Sequence, residues 1–254
     1  MPKKAKMEWP LGKGSGICIH DNVLPQKLCK SIIKFFEDRP HFNHPGKTFG
    51  GVLPNTKHSM DAHITGANEY IQNQEEYEFL NQVDGAIFQL YKVALAEYIT
   101  QYAPLTNEWH IREDTGYQYQ RYTKNEGFYK SHIDGAPFTG PGGAERVLAS
   151  VMYLNTVEEG GGTYFDYFDF TCEAVVGRIV TFPATFLHLH GGRVPKASDK
   201  SIISTFVTSP PPTVDTAHTE EAPTSDIVET GATLPDVGIP EVPEVLDTQS
   251  EHCG

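Results

Sequence analysis

The chain has 254 residues, 39% hydrophobic and 11% aromatic, enough for one domain with a sizeable core and too apolar for a wholly disordered protein. The formal net charge of −13 is unevenly spread: residues 209–254 hold ten acidic residues and no Lys or Arg, which leaves about −3 on residues 1–208. That near-neutral body argues against a partner held mainly through phosphates, so no nucleic acid is expected, and no apolar run reaches the roughly 18 residues of a membrane span.

Residues 1–16 read as a flexible arm with Pro10 and three glycines. Its start, Met1-Pro2-Lys3-Lys4, is basic but no apolar stretch follows, so no secretory leader is expected. A cytoplasmic protein with free thiols at Cys18, Cys29, Cys172 and Cys253 is therefore expected. The chain enters the fold at Ile17-Cys18-Ile19. A first helix is predicted from about Pro25, with Leu28, Ile32, Phe35 and Phe36 on one face, and Pro40 ends it. Residues 40–74, rich in Gly, Asn, His and Pro, read as loops with short strands. A second helix is predicted over about 75–101, where Leu80, Val83, Ile87, Leu90, Ala94 and Tyr98 keep the helical period.

Beyond Pro104 the texture becomes β-rich. Strand-like runs cover 117–122, 146–154, 162–165, 174–182 and 201–207, separated by Gly- and Pro-rich turns. Short strands spaced by turns predict a sandwich or barrel rather than alternating β and α units. The sequence thus divides into the arm 1–16, a domain 17–208 with helical support over about 25–104 and β structure over about 110–208, and a tail. The tail, 209–254, is acidic and rich in Pro and Thr, and it is expected to be disordered.

Two short patterns carry chemistry. In an extended segment His132 and Asp134 point to one face, so an imidazole and a carboxylate can converge. The run Phe186–Gly192 alternates Leu187 and Leu189 with His188 and His190, which puts both histidines on one side of a predicted strand. A histidine 58 residues after His132 can complete a facial triad that leaves three positions of an octahedral ion open, as non-haem Fe(II) needs. Taken separately, the first pair also fits a strand-end surface pair and the histidines a polar sheet lining. Lys200 follows His190 by ten residues, across a turn that can return it beside the metal strand or leave it exposed.

Taken together, Arg121-Tyr122, Tyr129-x-x-His132-x-Asp134, Arg146, Met152-Tyr153-Leu154-Asn155, Gly161-Gly162-x-x-Phe165, Gly177-Arg178, His190-x-Gly192 and Lys200 resemble the Fe(II)/2-oxoglutarate-dependent oxygenases of the prolyl 4-hydroxylase alpha-subunit type. The resemblance spans about residues 17–208. It implies a mostly β fold with N-terminal helices (α+β) and a double-stranded β-helix, or jelly-roll, core. It implies Fe(II) on His132, Asp134 and His190, with Lys200 on the 2-oxoglutarate carboxylate and Tyr122 and Tyr153 near the cosubstrate. Thr163 would line the site. The chemistry implied is O2-dependent hydroxylation of an unactivated C–H bond with release of succinate and CO2, ascorbate keeping the iron reduced. A peptidyl proline is the expected substrate, a small molecule the alternative.

The chain departs from the family in carrying Arg193-Val194-Pro195 after the distal histidine, where Pro-Val is common, and Ser198-Asp199 where a glycine often precedes the anchor. His190 rather than His188 is taken as the ligand because the Gly-Gly and the gap to Lys200 match from it. Two other functions are weighed. A metal-dependent hydrolase or isomerase on a cupin-like barrel would not need Lys200. A non-catalytic binding or structural module would not need an intact triad.

Overall fold

The structure is a computed structural model that describes residues 5–102, 104–105, 111, 113–135, 145–209 and 235–243. Two short strands, β1 (Lys6–Glu8) and β2 (Cys18–Asp21), precede helix α1 (Gln26–Asp38). Strands β3 (His44–Pro45), β4 (Lys57–His58) and β5 (Met60–His63) lead to the long helix α2 (Gln74–Ile99). The rest is β: β6 (Glu113–Asp114), β7 (Gln118–Tyr122), β8 (Phe128–His132), β9 (Glu145–Tyr153), β10 (Thr163–Phe165), β11 (Phe170–Cys172), β12 (Ile179–Pro183), β13 (His190–Gly192) and β14 (Lys200–Ser209).

Both predicted helices form. The buried face of α1 carries Leu28, Ile32, Phe35 and Phe36 as the period requires. Helix α2 is stopped at its N-terminus by reciprocal capping: the Asn73 side chain accepts from the Glu76 N–H at 2.9 Å, and Glu76 accepts from the Gln72 N–H at 2.8 Å. One predicted strand, 174–182, proves too long. Gly177 turns the chain with φ +80°, where its N–H bonds Tyr153 O, and the strand begins only at Ile179.

Among the described residues the strands form two antiparallel sheets, a jelly roll. The larger runs β1-β2-β12-β9-β14-β7-β5-β3, with β6 beside β14; the smaller runs β11-β10-β13-β8-β4. Alternation along β9 and β14 divides the core. Met152, Leu148, Ile203 and Val207 pack toward the two helices, whereas Tyr153, Ala149 and Ile202 join Phe165, Phe182 and Val180 in a second cluster between the sheets. The site is built on this inner side, because the residues that interleave with Ile203 and Val207 on β14 must face the smaller sheet.

The expectation for the tail needs correction over one stretch. Most of residues 209–254 lies outside the described residues, but 235–243 is described. Val237, Ile239 and Val242 pack against the helical cluster, Pro240 is buried, and buried Arg39 donates to the Pro243 carbonyl at 2.6 Å. Arg39 also pairs with Glu76 at 3.4 Å. Sparse aliphatic residues suffice here because they meet an existing apolar surface and a buried cation offers a donor. Truncation after Ser209 is expected to cost about 1–3 kcal/mol, the range for losing a charge-assisted hydrogen bond, and to lower Tm by a few degrees. Truncation after Pro243 should leave Tm unchanged; thermal unfolding of the two truncated proteins checks this.

Candidate active site

The smaller sheet brings the two halves of the triad together. In the pairing of β13 with β8, His190 stands opposite His132, so residues 58 apart in sequence become cross-strand neighbours. Asp134 follows the end of β8. Its Oδ1 lies 3.3 Å from His132 Nε2 and its Oδ2 lies 3.3 Å from His190 Nε2. One donor atom from each of the three residues falls within 4.8 Å of the others.

Both imidazoles are oriented from behind. His132 Nδ1 is 2.9 Å from the Lys130 carbonyl and His190 Nδ1 is 2.9 Å from the His188 carbonyl. A carbonyl only accepts, so each Nδ1 carries the proton and each Nε2 presents a lone pair to the shared point. Two lone pairs and a carboxylate converging there fit a divalent metal. The Tyr129 ring stacks on His132 at 3.7 Å and further fixes its plane. Burial pushes the Asp134 carboxyl up, but the charges of His190, His132 and Arg146 outweigh it and hold it down to about 2. Burial lowers the His190 pKa and favours its neutral, ligating form.

The sequence placed His188 and His190 on the same side of one strand; the structure does not. Phe186–His188 is a 3-10 turn and β13 starts at His190. His188 turns away: its Nε2 donates to Ser15 O at 2.7 Å, and its Nδ1 accepts from the Thr185 hydroxyl at 2.9 Å. It ties the N-terminal arm to the barrel and takes no part in the triad.

A cavity of about 620 Å³ opens from the triad between the sheets. Lys200, Ile202, Ser204 and Phe206 alternate along one of its walls, and Gln118, Gln120 and Tyr122 along the next strand. Lys200 is 1% exposed, and no carboxylate among the described residues pairs with it. Burial alone lowers its pKa from 10.5 to about 7. Its Nζ sits 4.3 Å above the Tyr122 ring. A Cβ on Gly192 would come within 3.2 Å of that Nζ, so a side chain there would crowd the cation.

The turn that departs from the family pattern is held by its own aspartate. Asp199 accepts from Arg121 at 2.6 and 2.9 Å and from the Lys124 N–H at 2.7 Å. Asn155 brackets Lys200, donating to Asp199 O and accepting from the Ser201 N–H, both at 2.8 Å. The other cations that could serve as anchor are committed: Arg121 to Asp199, Arg178 to Asp21, and Arg193 over the half-buried Tyr164 ring.

Two further expectations fall out differently. Tyr122 lines the cavity, but its hydroxyl donates to Gln120 at 2.7 Å. Tyr153 does not line it. Its hydroxyl is used on Thr163 Oγ1 at 2.7 Å and on Cys172 O at 3.2 Å, so it supports the lining residue Thr163 from behind. The sequence reading missed Lys57, Asp61, Gln118, Gln120 and Phe206. For the glutamines the signal was present, as positions two and four before Tyr122 on one strand. Residues 136–144, a Gly- and Pro-rich stretch between β8 and β9, lie outside the described residues.

Residues 117–208 match the model of the 2OG-Fe(II) oxygenase superfamily. These residues therefore form a 2OG-Fe(II) oxygenase domain. No curated protein matches the chain. Solved structures with the same fold include a viral collagen prolyl hydroxylase from Paramecium Bursaria Chlorella virus-1 in complex with 2-oxoglutarate, at 18% identity and TM-score 0.52, covering 79% of this chain and 99% of that one. A prolyl hydroxylase from Trichoplax adhaerens, in complex with a hypoxia inducible factor oxygen degradation domain peptide fragment, gives 15% identity and TM-score 0.56 over 78% and 85%. A prolyl-4-hydroxylase from Pseudomonas putida gives 14% and 0.53 over 77% and 94%. The superfamily implies Fe(II) and 2-oxoglutarate for this oxygenase, and none of its helices is long and apolar enough, among the described residues, to cross a membrane.

The hydrogen bonds separate the two histidines experimentally. Asp134→Ala or His190→Ala should weaken Fe(II) or Mn(II) binding by more than the roughly 10–100-fold that loss of an outer partner costs. His188→Ala should leave metal affinity in place and instead lose about 1–3 kcal/mol of stability, because Ser15 O loses its donor. Metal titration and thermal unfolding of the same proteins read both effects.

Proposed function

We propose that this oxygenase hydroxylates a peptidyl proline, with Fe(II) held by His132, Asp134 and His190, the distal carboxylate of 2-oxoglutarate on Lys200, and ascorbate as reductant. The observation that carries the reading is Lys200. A cation buried without a counter-ion is unfavourable, and the cavity that holds it also holds the triad. An anion that reaches both must be short and must chelate at one end, which describes a 2-oxo dicarboxylate. Prolyl hydroxylases among the structural neighbours, one of them bound to a peptide, support a peptide over a small molecule. The buried free thiols of Cys18, Cys29 and Cys172 fit the reducing cytoplasm.

When bound, the metal supplies the oxidative chemistry that couples cosubstrate decarboxylation to C–H hydroxylation. The chain's own residues do the rest. Lys200 and the Tyr122 face fix one end of the cosubstrate, and Asn155 holds the lysine's backbone from both sides. Arg146 stands at the rim, stacked 3.7 Å over Phe206 with an N–H toward Asp134 O at 3.4 Å. Ile202 and Phe206 keep that part of the wall apolar, which limits water near the reacting atoms.

Incubation with proline-containing peptides, Fe(II), 2-oxoglutarate and ascorbate should add the mass of one oxygen atom to a proline and yield equimolar succinate. Succinate coupled to a small molecule and never to a peptide would refute the substrate assignment. Lys200→Met should weaken 2-oxoglutarate binding a hundredfold or more. Breaking a buried ion pair costs about 3–5 kcal/mol, at about 1.4 kcal/mol per tenfold. Metal affinity should barely move. The sign of the pH effect follows from the empty-site pKa of about 7. At pH 8 the free lysine is mostly neutral, so binding the carboxylate must recharge it. Binding should therefore take up a proton, and affinity should fall as pH rises above 7. Calorimetry in buffers of different ionisation enthalpy measures this directly.

A further inference from the structure

The cavity contains a second buried lysine. Among the described residues, Lys57 and Lys200 are the buried cations that line it. Lys57 is 4% exposed and stands on the edge strand of the smaller sheet, opposite Tyr129 in register. Its Nζ lies 2.6 Å from Asp61 Oδ2, and Asp61 is fully buried. The other carboxylate oxygen accepts from the Ser59 hydroxyl at 2.7 Å. Gly46 closes over all three: a Cβ there would fall 2.2 Å from Ser59 Oγ and 3.1 Å from Lys57 Cε. Tyr122 connects the two lysines, with its ring below Lys200 and its hydroxyl within reach of Ser59.

The two lysines share a cavity and differ in one respect: Lys57 has a counter-ion from its own chain and Lys200 does not. We propose that Asp61 masks Lys57, so that the buried part of the cavity offers an incoming dicarboxylate a single cation without a carboxylate partner, Lys200, and hence a single orientation; Lys47 and Arg146, which also line the cavity, are exposed to water. This rests on Lys200 as the cosubstrate anchor. Without the mask, a carboxylate could pair with either lysine. One mode leaves the chelating end at the triad; the other draws the dicarboxylate toward the Tyr129 side. A buried pair is costly to desolvate and often adds no net stability, so its gain here is specificity.

The test uses the full chain without metal and titrates glutarate, a dicarboxylate that lacks the keto group and reports the lysines alone. Wild type should bind at one site, and Lys200→Met should lose it. Asp61→Asn/Lys200→Met should regain binding, about tenfold or more above Lys200→Met alone, because Lys57 is now unmasked. Adding Lys57→Gln to that double variant should remove it again. If Asp61→Asn/Lys200→Met binds no better than Lys200→Met, the mask is refuted while the anchor stands. If Lys200→Met binds glutarate as well as wild type, the anchor itself falls. Should Asp61→Asn fail to fold, the neutral pair Lys57→Gln/Asp61→Asn decides. The proposal requires that protein to fold and to bind glutarate at wild-type strength, and loss of either overturns it.

Discussion

A lysine ammonium buried without a carboxylate is the constraint around which this barrel is arranged. The aromatic and aliphatic side chains of the inner cluster are satisfied by packing. Lys200 is satisfied only by an anion brought from outside. Its surroundings keep it available for one: a glycine beside its Nζ, an aromatic face below it, and an asparagine that fixes the peptide units on either side. The lowered pKa records the same cost in another form, since a cation that can shed its proton does so when no partner is present.

That lysine would have no function at another register. Side chains on β14 alternate, so a one-residue slip would put Ser201 in the cavity and Lys200 against the helices. Register is fixed by the long pairing of β14 with β9, from Ile202 opposite Tyr153 to Ser209 opposite Glu145, and by the aliphatic residues that alternate with the cavity wall. The helical layer contributes here. Ile203 and Val207 bury themselves against it, and that burial sets the face on which Lys200, Ile202, Ser204 and Phe206 appear. The supporting helices act on the chemistry through the strand's other side.

The parts of this arrangement that the sequence revealed are those carried by periodicity or fixed spacing. Helix faces such as Leu28–Ile32–Phe35–Phe36, the alternation in 201–207 and the intervals His132–Asp134 and His190–Lys200 survive translation into three dimensions. Local backbone choice was harder to read. Leu-His-Leu-His looks like an alternating strand, but Phe186–His188 coils as a 3-10 turn, and this separates two histidines that a strand would have aligned. Lys57 and Asp61 were hidden for another reason. They lie in a stretch without periodicity, and their pairing depends on the chain passing from the smaller sheet to the larger between β4 and β5. The docked stretch 235–243 has too few aliphatic residues to predict a core; it needs the partner surface around Arg39 to be recognised.

Charge balance in the cavity ties these elements together. The triad holds one carboxylate, so a divalent metal there leaves a single positive charge. Lys200 adds a second, and a dicarboxylate cosubstrate cancels both. With the exposed Lys47 and Arg146 left to water, the buried part of the filled cavity is then neutral, the condition under which a low-dielectric interior tolerates so many ionic groups. Lys57 would spoil that balance if it counted, and Asp61, fully buried and 2.6 Å from it, removes it from the count. Tyr129 shows how closely the two charge systems are interleaved. Its ring stacks on His132 of the triad and also lies 5.2 Å below the Lys57 ammonium. An unmasked cation there would face the aromatic ring that fixes the plane of His132. The internal counter-ion therefore neutralises a cation that borders the triad side of the cavity as well as the Lys200 side.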